Sequence, residues 1–352
     1  MLINSFFGII IKYFKKGDFM AVKVAINGFG RIGRSSARII ANRDDVELVA
    51  INDSGSAEQL AYLLKYDSVH GRFEDVEVID EKHLRIGKDT VTLFSDRNPA
   101  NLDFASVGTE VVLECTGKFL TQEATQVHID KGAKVVVMSA PAKDDTPTFV
   151  VGVNSDKYAG EKIISNASCT TNCLAPVAKV LLDKFGIEKG LMTTVHSYTN
   201  DQKILDVKHH KDTRRGRAAA INMIPTTTGA AKAIGKVIPS LLGKMHGQAV
   251  RVPTPNVSLV DLNVVVSKDT TKEEVNEALI QASKNELKDI LAIDYDKCVS
   301  SDFTSSLYSS IVAIDLTQVI EGNMVKVMSW YDNEMGYSNR LVDMAVIAGE
   351  YK

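Results

Sequence analysis

The sequence predicts an α/β chain of two domains, one on a mostly parallel sheet and one on a mostly antiparallel sheet. Three observations predict it. Apolar strands alternate with helical stretches through the first half. A glycine-rich turn joins the first strand to the first helix. After residue 169, long strands of alternating character at 190–198, 257–266 and 324–330 replace that rhythm.

The first strand carries Val22, Val24 and Ile26 and runs into Gly28-Phe29-Gly30-Arg31-Ile32-Gly33, with a helical stretch at 35–41 behind it. Strand, glycine turn and helix in that order form a dinucleotide-binding fingerprint: Gly28 permits the tight turn, Gly30 lets a pyrophosphate approach, and Gly33 lets helix pack on strand. A second strand at 46–51 ends at Asn52-Asp53. Asp53 lies roughly 20 residues past the turn, where a carboxylate accepts hydrogen bonds from the adenosine ribose. Context, spacing and acid together favour this reading over a plain structural turn. Further strands at 110–115 and 134–138 end in Thr116-Gly117 and Ser139. Ligands of open α/β sheets bind beyond the carboxyl ends of strands, so Asp53, Thr116, Gly117 and Ser139 should line one crevice with the glycine turn. The loop 96–99 would bring Arg97 near the adenine.

Ser168-Cys169-Thr170-Thr171-Asn172-Cys173 sets a thiol among hydroxyls and an amide at a strand-to-helix turn. Backbone N–H groups at a helix N-terminus stabilise a thiolate, and the same donors receive an oxyanion when sulfur attacks a carbonyl. The expectation is therefore a nucleophile at Cys169 with a depressed pKa, against the common fate of a free thiol as buried packing. The helix itself is expected at 171–185, closed by Gly186, with Pro176 disturbing its first turns.

With 45% hydrophobic and 24% charged residues, the 352-residue chain has an ordinary globular composition. Its net charge of −3 argues against a surface made for nucleic acid. The basic segment 203–217 is a solvated face or a site for a small anion. Four cysteines, Cys115, Cys169, Cys173 and Cys298, form no regular framework and fit a reducing cytoplasm. None has partners at metal-ligand spacing, so no metal is expected. Residues 1–19 read as an extension outside the fold: the apolar stretch 2–14 is too short to span a bilayer, and its lysines follow the apolar part, the reverse of a secretory signal. The expectation is that Met20 is the true start and that the residues before it are translated leader from a misassigned start; a short membrane-surface anchor is the lesser alternative. The last helix, at 338–351, has one apolar side that needs a surface.

Cysteine catalysis needs a base, and His196, at a strand end before a polar loop, is the best placed of seven histidines. Thr199, Arg214-Arg215, Thr226-Thr227-Thr228-Gly229 and Arg251 supply the guanidinium forks, hydroxyls and N–H groups that phosphate oxygens need. A phosphorylated substrate follows.

Together these residues resemble the phosphorylating glyceraldehyde-3-phosphate dehydrogenases. The likeness runs from Met20 to the end through residues 26–33, 167–172, 196–199, 225–231, 251–255 and 330–334. It implies a Rossmann NAD(P)-binding domain over 20–168, an α+β catalytic domain over 169–335, a C-terminal helix over 336–352 returning to the first domain, a homotetramer and a cytoplasmic setting. It also implies that Cys169 attacks the aldehyde of glyceraldehyde 3-phosphate with His196 as base, and that inorganic phosphate then cleaves the thioester. Ser168, Thr170, Thr199, Arg215, Thr228, Gly229 and Arg251 would form two anion pockets. Asn333 would hold the nicotinamide amide, Arg31 and Ile32 would contact the pyrophosphate, and the basic segment would approach a neighbouring subunit's cofactor.

Two departures bear on the cofactor. Ser54-Gly55-Ser56 and Val207-Lys208 stand where NAD-restricted relatives tend to carry an apolar residue and a Leu-Pro pair. NAD is expected, with room for NADP: Lys208 and His209 would offset a 2′-phosphate that Asp53 opposes. The nearest rival is an erythrose-4-phosphate dehydrogenase, which passes its thioester to water. Surface adhesion or RNA binding is at most secondary.

Overall fold

The computed structural model describes residues 21–351, so the expectations for 1–19 and for Met20 lie outside the described residues. The chain divides into two compact units, 21–168 with 338–351, and 169–337.

In the first unit, eight strands form one sheet in the order Ile163–Ser165, Val135–Met138, Val111–Glu114, Val22–Asn27, Val46–Asn52, Asp89–Phe94, His83–Ile86, Val76–Asp80. The first six run parallel and the last two close antiparallel. Burial of nearly every position in the four adjacent strands Val135–Met138, Val111–Glu114, Val22–Asn27 and Val46–Asn52 explains their richness in Val, Ile, Leu and Ala. The helix Arg31–Ile40 begins directly after Gly30. The hairpin strands between 76 and 94 escaped the sequence reading because they are short and bury few apolar residues, with none buried in Val76–Asp80.

The final helix, Met335–Glu350, buries Leu341, Val342, Ala345 and Ala348. Its Gly349 lies so close to Val22 and Val111 that an added Cβ would meet Val22 at 2.4 Å. Arg43 pairs with Asp343 of that helix. The strand that opens the fold is thus covered by the end of the chain.

The second unit is an eight-stranded, mostly antiparallel sheet. Its order is Ile224–Thr227, Met245–Val252, Lys189–Ser197, Ser258–Val265, Met324–Tyr331, Ser310–Ala313, Leu291–Asp294, with Gln318–Ile320 added beside Met324–Tyr331. Ser258–Val265 alternates buried and half-buried residues without a break, as a strand with one face on helices must. The helix Cys169–Phe185 is buried along Thr170–Ala178 and keeps Pro176 inside it. It starts two residues earlier than its periodicity implies, because Cys169 and Thr170 are polar or small and carry no apolar signal. No helix among the described residues is long and apolar enough to cross a membrane.

Candidate active site

Cys169 is the first residue of its helix. The chain reaches it through Ala167, whose φ of 56° is left-handed, a conformation that costs a non-glycine residue about 1–2 kcal/mol. That turn redirects the backbone from strand to helix within a few residues, which is how the thiol comes to sit at a helix N-terminus.

His196 occupies the penultimate position of Lys189–Ser197, and the parallel register of Met245–Val252 sets Arg251 directly beside it. Across the helix N-terminus, His196 Nε2 lies 3.6 Å from Cys169 Sγ. On the other side of the ring, Nδ1 lies 2.7 Å from the Ser197 carbonyl and 2.7 Å from Arg251 Nη1, which also donates to that carbonyl at 2.9 Å. One ring nitrogen cannot donate to a carbonyl and accept from a guanidinium at once, so these contacts belong to alternative tautomers. With the proton on Nδ1, the ring donates to Ser197 and offers the Nε2 lone pair to the thiol, the base-competent form. With Arg251 donating to Nδ1, the proton sits on Nε2. The ring meets Tyr331 edge-on, and the Tyr331 hydroxyl is itself fixed by Thr170 at 2.9 Å and Thr194 at 2.8 Å.

The electrostatics correct one expectation. Burial pushes the Cys169 thiol up from its ordinary value, and Arg251 offsets this only in part. Burial, reinforced by the Arg251 charge, pushes His196 down to about 3. Desolvation therefore outweighs the helix N-terminus, and the environment favours a neutral thiol–imidazole pair over a standing ion pair. Cys173 is fully buried beside Ser310 and the Ser329 carbonyl, and burial raises its thiol to about 12.

The two arginines of the expected anion pockets differ. Every nitrogen of Arg215 has a partner: Nη1 reaches Asp201 at 2.7 Å, Nε reaches Thr226 at 2.9 Å and Nη2 reaches the Thr227 carbonyl at 3.1 Å. Arg251 has no carboxylate partner among the described residues, its Nε is buried without a hydrogen bond, and burial lowers its pKa. A guanidinium in that position is able to take an anion as partner. Gly229 has open space where a Cβ would stand, at the start of the helix Ala230–Val237. Thr228 caps Ala230 through its hydroxyl, while Thr199 is half-buried, with its backbone N–H on Gln202. Thr170 is buried, and its hydroxyl shares a 2.9 Å hydrogen bond with that of Tyr331. Ser168 is half-buried just before the nucleophile. Asn333 is buried, and its carbonyl oxygen accepts from the Ser197 and Ser258 hydroxyls, leaving its NH2 for a ligand. Asp201 and Asp212, which fasten Arg215 and Thr226, were not singled out from sequence, since scattered loop aspartates carry no pattern. Lys208 is exposed, but His209 is not free: its Nδ1 accepts from the Lys211 and Asp212 N–H groups and its Nε2 faces Asp201.

In the first unit the glycine turn fits a dinucleotide. Gly28 has φ 97°, and a Cβ there would meet the Thr116 nitrogen at 2.8 Å. Gly30 is open, and no side chain caps the helix that follows, so its first N–H groups face outward for a pyrophosphate. Gly33 packs against the Gly28 carbonyl, and Phe29 is buried. Arg31 is paired with Asp67, and Ile32 is half-buried at the helix start. Asp53 accepts from the Phe29 N–H at 2.9 Å and the Gly55 N–H at 3.2 Å. Thr116, Gly117 and Ser139 all follow the carboxyl ends of adjacent strands, and Arg97 is exposed in its loop. Among the described residues no group of three His, Cys, Asp or Glu could hold a metal ion.

Comparison with known proteins agrees with this geometry. Residues 22–122 match the glyceraldehyde 3-phosphate dehydrogenase NAD binding domain, and residues 168–333 match the C-terminal domain of the same family. The chain is 56% identical to a glyceraldehyde-3-phosphate dehydrogenase of Priestia megaterium and 55% identical to glyceraldehyde-3-phosphate dehydrogenase 1 of Bacillus subtilis, in each case over 93% of this chain and 98% of the relative. It is 52% identical to glyceraldehyde-3-phosphate dehydrogenase A of Escherichia coli over 92% of this chain and 98% of that protein. With both domains matched and the relatives covered almost end to end, the chain belongs to the glyceraldehyde 3-phosphate dehydrogenase family.

Proposed function

We propose that the protein oxidises glyceraldehyde 3-phosphate with NAD and inorganic phosphate to 1,3-bisphosphoglycerate, through a thioester on Cys169. The observation that carries this reading is the 3.6 Å approach of His196 Nε2 to Cys169 Sγ beside a guanidinium that lacks a carboxylate partner. His196, with its proton on Nδ1 and held to the Ser197 carbonyl, takes the thiol proton as Sγ adds to the aldehyde carbon. The imidazolium N–H then faces the new alkoxide and stabilises it. NAD, when bound, would supply the acceptor for the hydride leaving the hemithioacetal carbon, whose alkoxide becomes the thioester carbonyl while His196 keeps the thiol proton for the later return of the sulfur. Inorganic phosphate attacks the thioester carbon, the sulfur leaves, and the acyl phosphate is released.

Arg251 links binding to chemistry in this scheme. A phosphate oxygen drawn to the guanidinium offsets the charge that pushes His196 down. It also draws Arg251 away from Nδ1, so the base-competent tautomer is favoured by the presence of the anion.

Asp53, with both oxygens engaged by loop N–H groups, cannot turn away without losing two hydrogen bonds. This supports NAD over NADP: a 2′-phosphate about 4 Å from that half-exposed carboxylate meets a like-charge repulsion of about one to two kcal/mol, between the limits for water and for the protein surface. A homotetramer is supported by exposed Ile204, Leu205, Ile221 and Met223, each at least 75% exposed and grouped in one stretch of chain. A cytoplasmic setting is supported by four cysteines that are all free.

A steady-state assay of NAD reduction with glyceraldehyde 3-phosphate, with and without inorganic phosphate, tests the reading. Turnover should require phosphate. Turnover that is equally fast without it assigns the thioester to water and overturns the phosphorylating reaction.

A further inference from the structure

The carboxyl ends of the three central strands of the first sheet each finish on a buried polar side chain: Asn27, Asn52 and Glu114. The register puts Asn27 opposite both Asn52 and Glu114. Their hydrogen bonds form one line. Glu114, fully buried, accepts from Asn27 Nδ2 at 2.6 Å on one oxygen, and from the Thr116 N–H at 2.9 Å and the Thr116 hydroxyl on the other. Asn27 Oδ1 accepts from Asn52 Nδ2 at 2.7 Å. Asn52 then clasps the 96–98 loop from both sides, donating to the Asp96 carbonyl at 2.9 Å and accepting from the Asp96 N–H at 3.0 Å.

The direction of every bond in this line follows from its first member. Both Glu114 oxygens act as acceptors here, one from the Asn27 amide and the other from the Thr116 N–H and hydroxyl. Asn27 must therefore give it the amide NH2, which turns Oδ1 toward Asn52. Asn52 must answer with its own NH2, and that leaves its Oδ1 for the Asp96 N–H. His128 Nε2, buried and 3.6 Å from Glu114, adds no hydrogen bond to the line. We infer that Glu114 is a positioning residue for the dinucleotide site. Its carboxylate, accepting on both oxygens, sets the polarity of the Asn27–Asn52 relay and thereby fixes the Thr116–Gly117 turn, the residue before Gly28 and the loop that carries Arg97. The inference rests on the reading that this crevice binds NAD.

Polarity makes a specific test possible. In Glu114→Gln the new amide must turn its NH2 either to the NH2 of Asn27 or to the N–H of Thr116, so two donors meet on one side or the other. If Asn27 turns over to accept, its own NH2 faces Asn52, and the clasp on Asp96 is lost. In Asn27→Asp two carboxylates meet at the 2.6 Å contact. The double variant Glu114→Gln/Asn27→Asp restores the line with its first bond reversed. The introduced amide donates to the introduced carboxylate, that carboxylate accepts from Asn52, and the carbonyl of the new amide still accepts from Thr116. The four proteins are compared by calorimetric titration with NAD and with ADP-ribose, and by the alkylation rate of Cys169.

Glu114→Gln should weaken ADP-ribose and NAD by about tenfold, the loss expected for one or two buried hydrogen bonds. Its KM for NAD should rise with kcat at saturation nearly unchanged, and Cys169 alkylation should keep its wild-type rate. Asn27→Asp should be at least as impaired, and the double variant should recover most of the lost affinity. A double variant that binds no better than Glu114→Gln, whether or not it folds, overturns the inference. So does a Glu114→Gln protein with wild-type affinity. Failure of the wild-type protein itself to bind NAD would overturn the reading of the crevice instead.

Discussion

Arg251 Nη1 stands 2.7 Å from His196 Nδ1, on the side of the imidazole opposite the Cys169 sulfur. A cation without a carboxylate partner is thus held against the ring that must gain a proton in catalysis. Stability and function pull in opposite directions at this residue.

Arg251→Leu should therefore raise the melting temperature while depressing activity. Removing a buried guanidinium without a counter-ion relieves a desolvation cost. The loss of one charge-assisted contact to phosphate should raise the KM for the phosphorylated substrate by roughly 10- to 150-fold. Arg215→Leu should do the reverse to stability, since it frees Asp201, Thr226 and the Thr227 carbonyl from their common partner. Thermal denaturation of both variants beside steady-state kinetics checks the contrast, and a lower melting temperature for Arg251→Leu would refute it.

His196 also imposes a pH dependence on folding. Its folded pKa lies near 3, below the ordinary value of 6.5, so between those limits the unfolded chain binds a proton that the folded chain does not. Stability must fall as pH drops from 6.5 toward 3, by up to about 1.4 kcal/mol per pH unit from this residue alone. His196→Asn should flatten that decline in denaturant titrations between about pH 4 and 7, and should lower kcat by about 10²- to 10⁴-fold. A decline as steep as in the wild type would show that other groups carry it.

Cys173 should be inert. It is fully buried, and burial raises its thiol to about 12. Cys173→Ser is expected to retain substantial activity, whereas Cys169→Ser should abolish oxidation with cofactor binding largely intact. Peptide mapping after brief alkylation should find the label on Cys169 and spare Cys173.

Asp53→Ala should move the ratio of catalytic efficiencies toward NADP by about one to two kcal/mol, roughly five- to thirtyfold. If Lys208 reads the 2′-phosphate, Lys208→Ala should shift the same ratio the other way and reduce the salt dependence of NADP use. An unchanged ratio in Lys208→Ala removes the basic segment from cofactor choice.

The parts of the site legible in the sequence were those whose chemistry is local. The glycine turn, the thiol at a helix start and the histidine at a strand end each announce themselves within a few residues. What escaped depends on residues distant in sequence or on burial. Asn27 and Glu114 lie 87 residues apart, with Asn52 between them, and nothing within any one strand says that its last side chain is a buried polar group. The depressed thiol pKa expected from the helix N-terminus failed because desolvation is a property of the whole packed unit. The hydrogen bond between Thr170 and Tyr331 spans 161 positions, and nothing near either residue in the sequence announces it. The early helix start at Cys169 was hidden for a simpler reason, since its first residues carry no apolar period.

The covalent step is tested most directly by mass spectrometry of the protein incubated with glyceraldehyde 3-phosphate and NAD in the absence of phosphate. An acyl adduct should accumulate on the peptide that carries Cys169, and addition of inorganic phosphate should discharge it as 1,3-bisphosphoglycerate. An adduct on Cys173, no adduct at all, or discharge by water as fast as by phosphate would contradict a phosphorolysed thioester at Cys169.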